Sequence, residues 1–445
     1  MRVIVVGAGE VGSTIAATLA SDHEVVVVDT DSERVETMTY SHDVLAIEGD
    51  GTSLETLEEA GVDRADMVIA STDSDETNIV VCGAAKTVDD PFTIARVKKT
   101  DYLRTWEHSE GAFGVDFMVC TDLHTAETIV QIAGLPGARD VDTFAGGVVY
   151  MAEFSVPEGS PIAGQTVSEA DRFESLTFAA IIRDGDVVIP QGGTAIAPDD
   201  AVVVIGSFES VRGFAGSLAP APTLEEANEV VIVGGGEIGY QTARLFEAEG
   251  ISPRLVERDH DRAREVAERL PDTLVLESDA TDIDFFMREH VDESDIVVAA
   301  LDSDEKNLLA SLLAKRIGVD RTLAVVEFGD YVDLFEAVGV DVAVNPRVVT
   351  AEEIIRFTYR EHTENVAILE ADCAEVLEIE VDPDSALAGN RIRDVVPDLP
   401  DGVVIGAITR DGELITPRGD TVVERGDHVV VFADIEVIDA VDDAL

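Results

Sequence analysis

The chain contains itself twice. Val3–Gly12 (VIVVGAGEVG) recurs as Val230–Gly239 (VVIVGGGEIG), and Asp66–Asn78 (DMVIASTDSDETN) as Asp295–Asn307 (DIVVAALDSDEKN). Arg183-Asp184-Gly185 returns as Arg410-Asp411-Gly412, and Asp200 before a valine run as Asp427 before another. The period is roughly 228 residues, far above the roughly 20–50 of a stacked repeat array. A unit that long holds more than one core, so the pattern predicts a duplicated two-domain unit rather than a solenoid.

Each copy has two textures. The first part alternates short apolar runs with helical patterns: a strand over Arg2–Val6, a helix over Glu10–Leu19, a strand over Glu24–Val28, and the same rhythm onward. Val11, Ile15 and Leu19 fall four apart and make one buried stripe. The run Val25-Val26-Val27-Val28 is apolar without alternation, as in a parallel strand covered on both faces. This rhythm predicts a duplicated Rossmann-like, doubly wound parallel sheet. Each sheet is followed by a small β-rich α+β domain, marked by turns at Pro157-Glu158-Gly159, Asp184-Gly185, Pro198-Asp199-Asp200, Asp411-Gly412 and Arg425-Gly426-Asp427. The expected boundaries are 1–122, a crossover helix 123–139 and a small domain 140–221, then 227–348, a crossover helix 349–363 and a small domain 364–445. The helical stretches Thr125–Gly134 and Thr350–His362 could cross to a neighbouring subunit. Ala219-Pro-Ala-Pro-Thr-Leu-Glu-Glu reads as a linker.

The glycines carry the chemistry. Gly7, Ala8, Gly9, Glu10, Val11 and Gly12 follow the first strand and open the first helix. The first glycine makes the turn, the second admits a pyrophosphate, and the third lets helix and strand pack. The helix N-terminus then offers free N–H groups to phosphate. Asp29, ending the second strand, can accept both ribose hydroxyls of adenosine and would repel a 2′-phosphate, which favours NAD over NADP. The second copy has Gly234, Gly235, Gly236, Glu237, Ile238 and Gly239, with Glu257 in the ribose position and Arg258 beside it, so its nucleotide is less defined. Asp50 and Asp279 close the third strands, near the adenine edge. Thr72-Asp73 and Leu301-Asp302 close the fourth strands beside the crevice, where Asp73 and Asp302 also read as helix N-caps. Arg96 would set a cation near the phosphates. The matching stretch Leu323–Glu327 lacks it, so the two sites are expected to differ.

Charge excludes other classes. Ninety-one Asp and Glu face 31 Lys and Arg, a formal charge of -60, and only Lys86, Lys98, Lys99, Lys306 and Lys315 are lysines. Such a surface repels nucleic acid. The acids are spread along the whole chain, which reads as a solvated coat suited to high salt, where the Debye length falls to about 3 Å at 1 M. Cys82, Cys120 and Cys373 form no zinc or disulfide pattern, and no metal site is expected. No apolar run is long enough to span a bilayer. A strand beginning at residue 2 leaves no room for a signal peptide, so a cytoplasmic location is expected. The eight histidines follow no acid–base spacing, and no catalytic residue is expected.

The strings GAGEVG, VVDTD, EGDGT, TDSDETN and IARV stand in one order in the first copy. In this the chain resembles the TrkA family, the regulatory subunits of Trk-type potassium uptake systems, and the wider family of domains that regulate potassium conductance. The resemblance covers nearly the whole chain. It implies a cytoplasmic, non-enzymatic, NAD-binding subunit that assembles as a ring of four beneath a membrane pore subunit of the TrkH type, peripheral to the inner face of the membrane. It also implies that Gly7 to Val11, Asp29, Thr72-Asp73 and Arg96 hold NAD+ or NADH. Gly234 to Ile238, Glu257 and Asp279 would hold NAD or ATP/ADP. The same dinucleotide motif also serves NAD-dependent oxidoreductases and epimerases, the alternative reading. A calcium-gated ring would rest on acidity alone, since no EF-hand spacing occurs.

Overall fold

The computed structural model describes the chain except residues 22, 110–111, 136, 184, 219–228, 281–282, 359–364, 369–373, 383–384, 401 and 438–445. The expected linker, Asp184, Cys373 and the end of the second crossover stretch lie outside the described residues.

In the first copy, β1 (Arg2–Val6), α1 (Glu10–Leu19), β2 (Glu24–Asp29), α2 (Ser32–Ser41), β3 (Leu45–Glu48) and α3 (Leu54–Glu59) alternate. They continue as β4 (Met67–Ala70), α4 (Asp75–Val88), β5 (Phe92–Val97), α5 (Thr100–Glu107), β6 (Phe117–Cys120) and α6 (Thr121–Gly134). The six strands are parallel in the order β3-β2-β1-β4-β5-β6, so the chain reverses direction of winding between β1 and β4, where such sheets bind ligands. Val3 to Val6 and Val25 to Val28 are fully buried or nearly so, which is why neither run alternates. A small antiparallel sheet follows: β7 (Ala138–Phe144), β8 (Val149–Ser155), α7 (Val167–Ala170), β9 (Leu176–Arg183), β10 (Asp186–Val188), β11 (Ala201–Gly206) and α8 (Phe208–Leu218), with strand order β10-β9-β11-β8-β7.

The second copy repeats both sheets. β12 (Val230–Val233), α9 (Glu237–Ala248), β13 (Arg254–Glu257), α10 (His260–Arg269), β14 (Leu274–Glu277), α11 (Ile283–Arg288) and β15 (Ile296–Ala299) lead to α12 (Asp304–Ile317). β16 (Arg321–Val325), α13 (Val332–Ala337), β17 (Val342–Val344) and α14 (Pro346–Thr358) complete a parallel sheet ordered β14-β13-β12-β15-β16-β17. β18 (Asn365–Ile368), β19 (Ala374–Glu380), α15 (Ile392–Val395), β20 (Val403–Arg410), β21 (Glu413–Ile415) and β22 (His428–Asp434) form the second antiparallel sheet, β18-β19-β22-β20-β21. Helices α6 and α14 begin four residues before the expected Thr125 and Thr350, because β6 and β17 run almost directly into them. Asn345 Oδ1 accepts from the amides of Arg347 (2.8 Å) and Val348 (3.3 Å), and Pro346 sits at the first helical position, where its missing N–H costs nothing.

The chain divides into two compact units, Met1–Val130 with Glu229–Ile355, and Gln131–Asn228 with Arg356–Leu445. Each unit thus draws on both copies. In the second unit the two small sheets share one core, with Phe144, Met151, Val203 and Ile205 of one packed with Val376, Ala407, Val430 and Phe432 of the other. Gly406 is required there, because a Cβ would lie 2.5 Å from Ile205 Cδ1. Among the described residues, no helix is long and apolar enough to cross a membrane.

The arginines of the repeated Arg-Asp-Gly strings, Arg183 and Arg410, have a structural reason. Arg183 donates through Nε and one Nη to the two oxygens of Asp200, both at 2.7 Å, and to the Ala195 carbonyl at 3.0 Å. Arg410 does the same to Asp427 (2.7 and 2.8 Å) and the Val422 carbonyl. Asp200 and Asp427 are each 1% exposed. Burial alone would raise their carboxyl pKa values, but the guanidinium and a backbone N–H from Ala197 or Glu424 outweigh it and lower them. Their stabilisation is therefore complete above the ordinary aspartate value of about 4 and is lost as pH falls through the lowered folded value. Asp427→Asn removes the charge from a fork of charge-assisted bonds. It is expected to cost about 2 kcal/mol, read as a lower urea midpoint at pH 7 with the loss shrinking toward pH 3.

Candidate functional site

The turn after β1 is built by two glycines. Gly7 has φ +104°, a left-handed conformation suited to glycine, and a Cβ on Gly12 would lie 1.8 Å from the Gly7 carbonyl oxygen. The second half repeats both features at Gly234 (φ +111°) and Gly239, whose Cβ would lie 2.0 Å from Gly234 O. Gly12 and Gly239 therefore pack helix on strand. The amide of Gly7 donates to Val28 O at 2.8 Å, and that of Gly234 to Val256 O at 2.8 Å, which ties the turn to the next strand.

The acids ending β2 and β13 hold the glycine loops. Asp29 accepts from the Ala8 amide at 2.6 Å and, through its other oxygen, from the Asp31 amide at 2.8 Å. Glu257 accepts from Gly235 (2.8 Å) and Asp259 (2.7 Å). Ala8 serves by its backbone and is buried, whereas Gly9, with a Cβ direction meeting only Arg34 at 3.7 Å, leaves room for a ligand.

A cavity of about 510 Å³ opens over this turn, lined by Gly7, Gly9, Glu10, Val11, Asp29, Asp50, Thr72, Asp73 and Arg96 among the expected residues. That volume lies within the ~300–1,000 Å³ usual for small-molecule pockets. Thr30, Arg34, Gly49, Gly51, Ser71, Ser74, Thr77 and Arg347 also line it, and the sequence reading missed them. Asp50 is exposed and accepts from the Thr52 amide (2.9 Å) and hydroxyl (2.7 Å), which lowers its carboxyl pKa. Asp279 follows β14 at the corresponding place in the second half.

Asp73 and Asp302 are not the helix caps. Ser74 Oγ accepts from the Thr77 amide and Ser303 Oγ from the Lys306 amide, since each serine stands one residue nearer the first turn. Asp73 instead lies 3.8 Å from Arg96, and Asp302 pairs with Lys306 at 2.7 Å. The loop beyond β4 is fixed by Asn78, which accepts from the Thr72 amide and hydroxyl and donates to the Thr72 and Arg96 carbonyls. Asn307 makes the matching bonds to Leu301 and Val325. Both asparagines were visible in the repeated string, yet only the structure gives their work.

Those asparagines also align the halves side chain by side chain. Arg96 corresponds to Val325, Thr72 to Leu301 and Ser71 to Ala300. The first site keeps two hydroxyls and a cation where the second is apolar. Arg96 is 4% exposed. Its Nε donates to Thr121 Oγ1 at 3.1 Å, and Asp73 at 3.8 Å is a largely exposed partner. Burial pushes its pKa below the ordinary arginine value, with Asp73 opposing and Arg347 adding to the shift. Ser71 is 2% exposed with no hydrogen-bond partner for its hydroxyl. A buried cation and a buried hydroxyl, both lining one cavity, suit an anionic, hydrogen-bonding ligand.

Glu10, which lines the first cavity, and Glu237, at the corresponding place in the second half, also reach into the opposite half. Glu10 accepts from the Gly329 amide at 3.1 Å and from the Arg347 guanidinium, and Asn345 Nδ2 lies 3.4 Å away. Glu237 accepts from Thr100 Oγ1 at 2.8 Å and Gln241 at 2.7 Å. In the second half Arg262 donates to the Gly235 carbonyl at 2.6 Å and lies over the Tyr240 ring. Among the described residues, no three His, Cys, Asp or Glu side chains are grouped to hold a metal ion.

The fold and this turn define a class: a pair of Rossmann-like nucleotide-binding domains, each joined to a small antiparallel domain. The TrkA-N domain model matches residues 3–120 and 230–346, and the TrkA-C domain model residues 151–218 and 376–445. The Trk system potassium uptake protein TrkA homolog of Archaeoglobus fulgidus is 37% identical over 443 residues, spanning 100% of this chain and 99% of that one. TrkA of Vibrio alginolyticus is 32% identical over 426 residues, 93% and 92% of the two chains. The chain belongs to the TrkA family. Its fold is also that of the GsuK RCK domain, with a TM-score of 0.60 at 20% identity over 100% of this chain and 95% of that one. The GsuK channel bound to NAD gives the same score and identity, over 100% and 79%.

One junction residue titrates in the physiological range. Asp122 is pushed up to about 6, first by burial and then by Glu237, with Glu327 and Asp75 adding to the effect and Lys98 opposing it. Because the folded value exceeds the ordinary one of about 4, the protein loses stability as pH rises from about 4 to 6. Asp122→Asn is expected to abolish that segment of the stability curve and to raise the melting temperature at pH 7.5 but not at pH 4.

Proposed function

We propose that this chain is a non-catalytic, nucleotide-sensing regulatory subunit of a membrane potassium transporter. The observation that carries the reading is the first cavity: two glycines opening a helix N-terminus, Asp29 beside them, and buried Arg96 and Ser71 at the far side of the loop. Helix amides and a guanidinium suit a pyrophosphate, and the aspartate suits ribose hydroxyls rather than a 2′-phosphate. NAD+ or NADH is the ligand of this half. NAD bound to the GsuK channel, which shares the fold, agrees with that choice. The second half, with Val325, Leu301 and Ala300 at the corresponding positions and Glu257 beside Arg258, is a weaker site for NAD, ATP or ADP.

In this reading the chain lies on the inner face of the cell membrane, in the cytoplasm, as a homotetrameric ring against a pore subunit of the TrkH type. The names of its relatives as Trk system potassium uptake proteins support that partner. Regulation then requires only that nucleotide bind two ring conformations unequally, and a tenfold preference is worth about 1.4 kcal/mol per site.

Two substitutions test the assignment on the full chain. A carboxylate at Gly9, next to the cavity, is expected to weaken NADH binding at least 100-fold in titration calorimetry and to remove the nucleotide response of potassium uptake in cells. Gly236→Asp, where a Cβ would meet nothing within 4 Å, is expected to leave the tight event in place. Unchanged tight binding in Gly9→Asp would overturn the site. Sustained NADH turnover by the parent chain would overturn the regulatory reading.

A further inference from the structure

One of the cations at the first cavity comes from the other half of the chain. Arg347 is the second residue of α14, yet it lines the first half's cavity with Gly9, Glu10 and Arg96. A cation in the first turn of a helix faces that helix's own free N–H groups, an unfavourable position that needs carboxylate partners. It has two: the guanidinium donates to Glu10 and lies 3.5 Å from Glu327, over the Phe328 ring. Arg96 is close enough to repel it. Three guanidinium groups, those of Arg34, Arg96 and Arg347, thus line one cavity, and the buried one, Arg96, has the exposed carboxylate of Asp73 at 3.8 Å.

The other junction between the halves carries the opposite chemistry. Counting from β6 and β17, Asp122 occupies the place of Arg347, and it faces Glu237 as Arg347 faces Glu10. Thr100 stands where Gly329 does. One junction pairs a cation with a carboxylate, and its counterpart opposes two carboxylates. The duplication has diverged so that the opposite half brings a cation, Arg347, to the first site and a carboxylate, Asp122, to the corresponding place at the other junction.

We infer that Arg347 is a ligand-responsive, specificity-determining cation, which exchanges Glu10 for the phosphates of a nucleotide bound in the first cavity. The inference rests on the nucleotide reading above and deepens it by naming what the phosphates change. Occupancy replaces an ion pair between the halves with a bridge through the ligand, so binding is felt at the junction itself. The gain grows with phosphate charge, and a nucleoside diphosphate exceeds a monophosphate.

A double-mutant cycle tests this in the full chain carrying Gly236→Asp, with ADP and AMP as probes in titration calorimetry. Arg347→Ala is expected to weaken ADP tenfold or more and AMP less than threefold, with Arg347→Lys intermediate. Glu10→Gln frees the guanidinium and is expected to tighten ADP threefold or more, and that gain disappears in the Glu10→Gln/Arg347→Ala chain. The opposite signs of the two single variants separate this from loss of folding. Unchanged ADP affinity in Arg347→Ala overturns the inference while leaving the nucleotide site intact, as does a Glu10→Gln gain that persists in the double variant. If the parent binds neither ADP nor NADH, the nucleotide reading falls and this inference with it.

Discussion

Everything functional in the first unit depends on one close approach: α1 sits against the Gly7 carbonyl because Gly12 has no side chain. That contact aims the helix N-terminus over the turn. It leaves Gly9 facing open space and brings the Ala8 amide to Asp29. The same approach at Gly239 and Gly234 shows that duplication preserved the frame. What the two copies did not preserve is the chemistry set on it.

The divergence runs in one direction. Ser71, Thr72 and Arg96 become Ala300, Leu301 and Val325, and Arg347 is answered by Asp122. Each change removes a donor or a cation from the second site, or adds an acid near it, while the asparagine latches and buried Asp75 and Asp304 remain. The two halves thus share one frame but present different side chains over it. Burial, with Glu237 beside it, disfavours the ionised form of Asp122 at that junction.

Much of this was legible in the sequence, for physical reasons. Short unalternated valine runs bounded by turn residues read as strands covered on both faces, and glycines at that spacing follow from helix packing and turn geometry. Helix α1 starts and stops where its apolar stripe does. Caps were harder: Asp73 and Ser74, or Asp302 and Ser303, are equally good cap residues, and only backbone geometry chooses the serine. Ser71 carried no signal, because its meaning is the absence of a partner. Arg347 was invisible for a different reason. Its role arises from the packing of one half on the other, and no local pattern records which residue of a distant copy lines a cavity.

The central claim is that one of two homologous frames became the nucleotide sensor. Equilibrium dialysis of the full chain against labelled NADH, with stoichiometry counted per chain, tests it most directly. The account predicts one tight site per chain, lost when Arg96 is replaced by valine, the residue of the second half. Two sites of equal affinity, or one tight site unaffected by Arg96→Val, would contradict it.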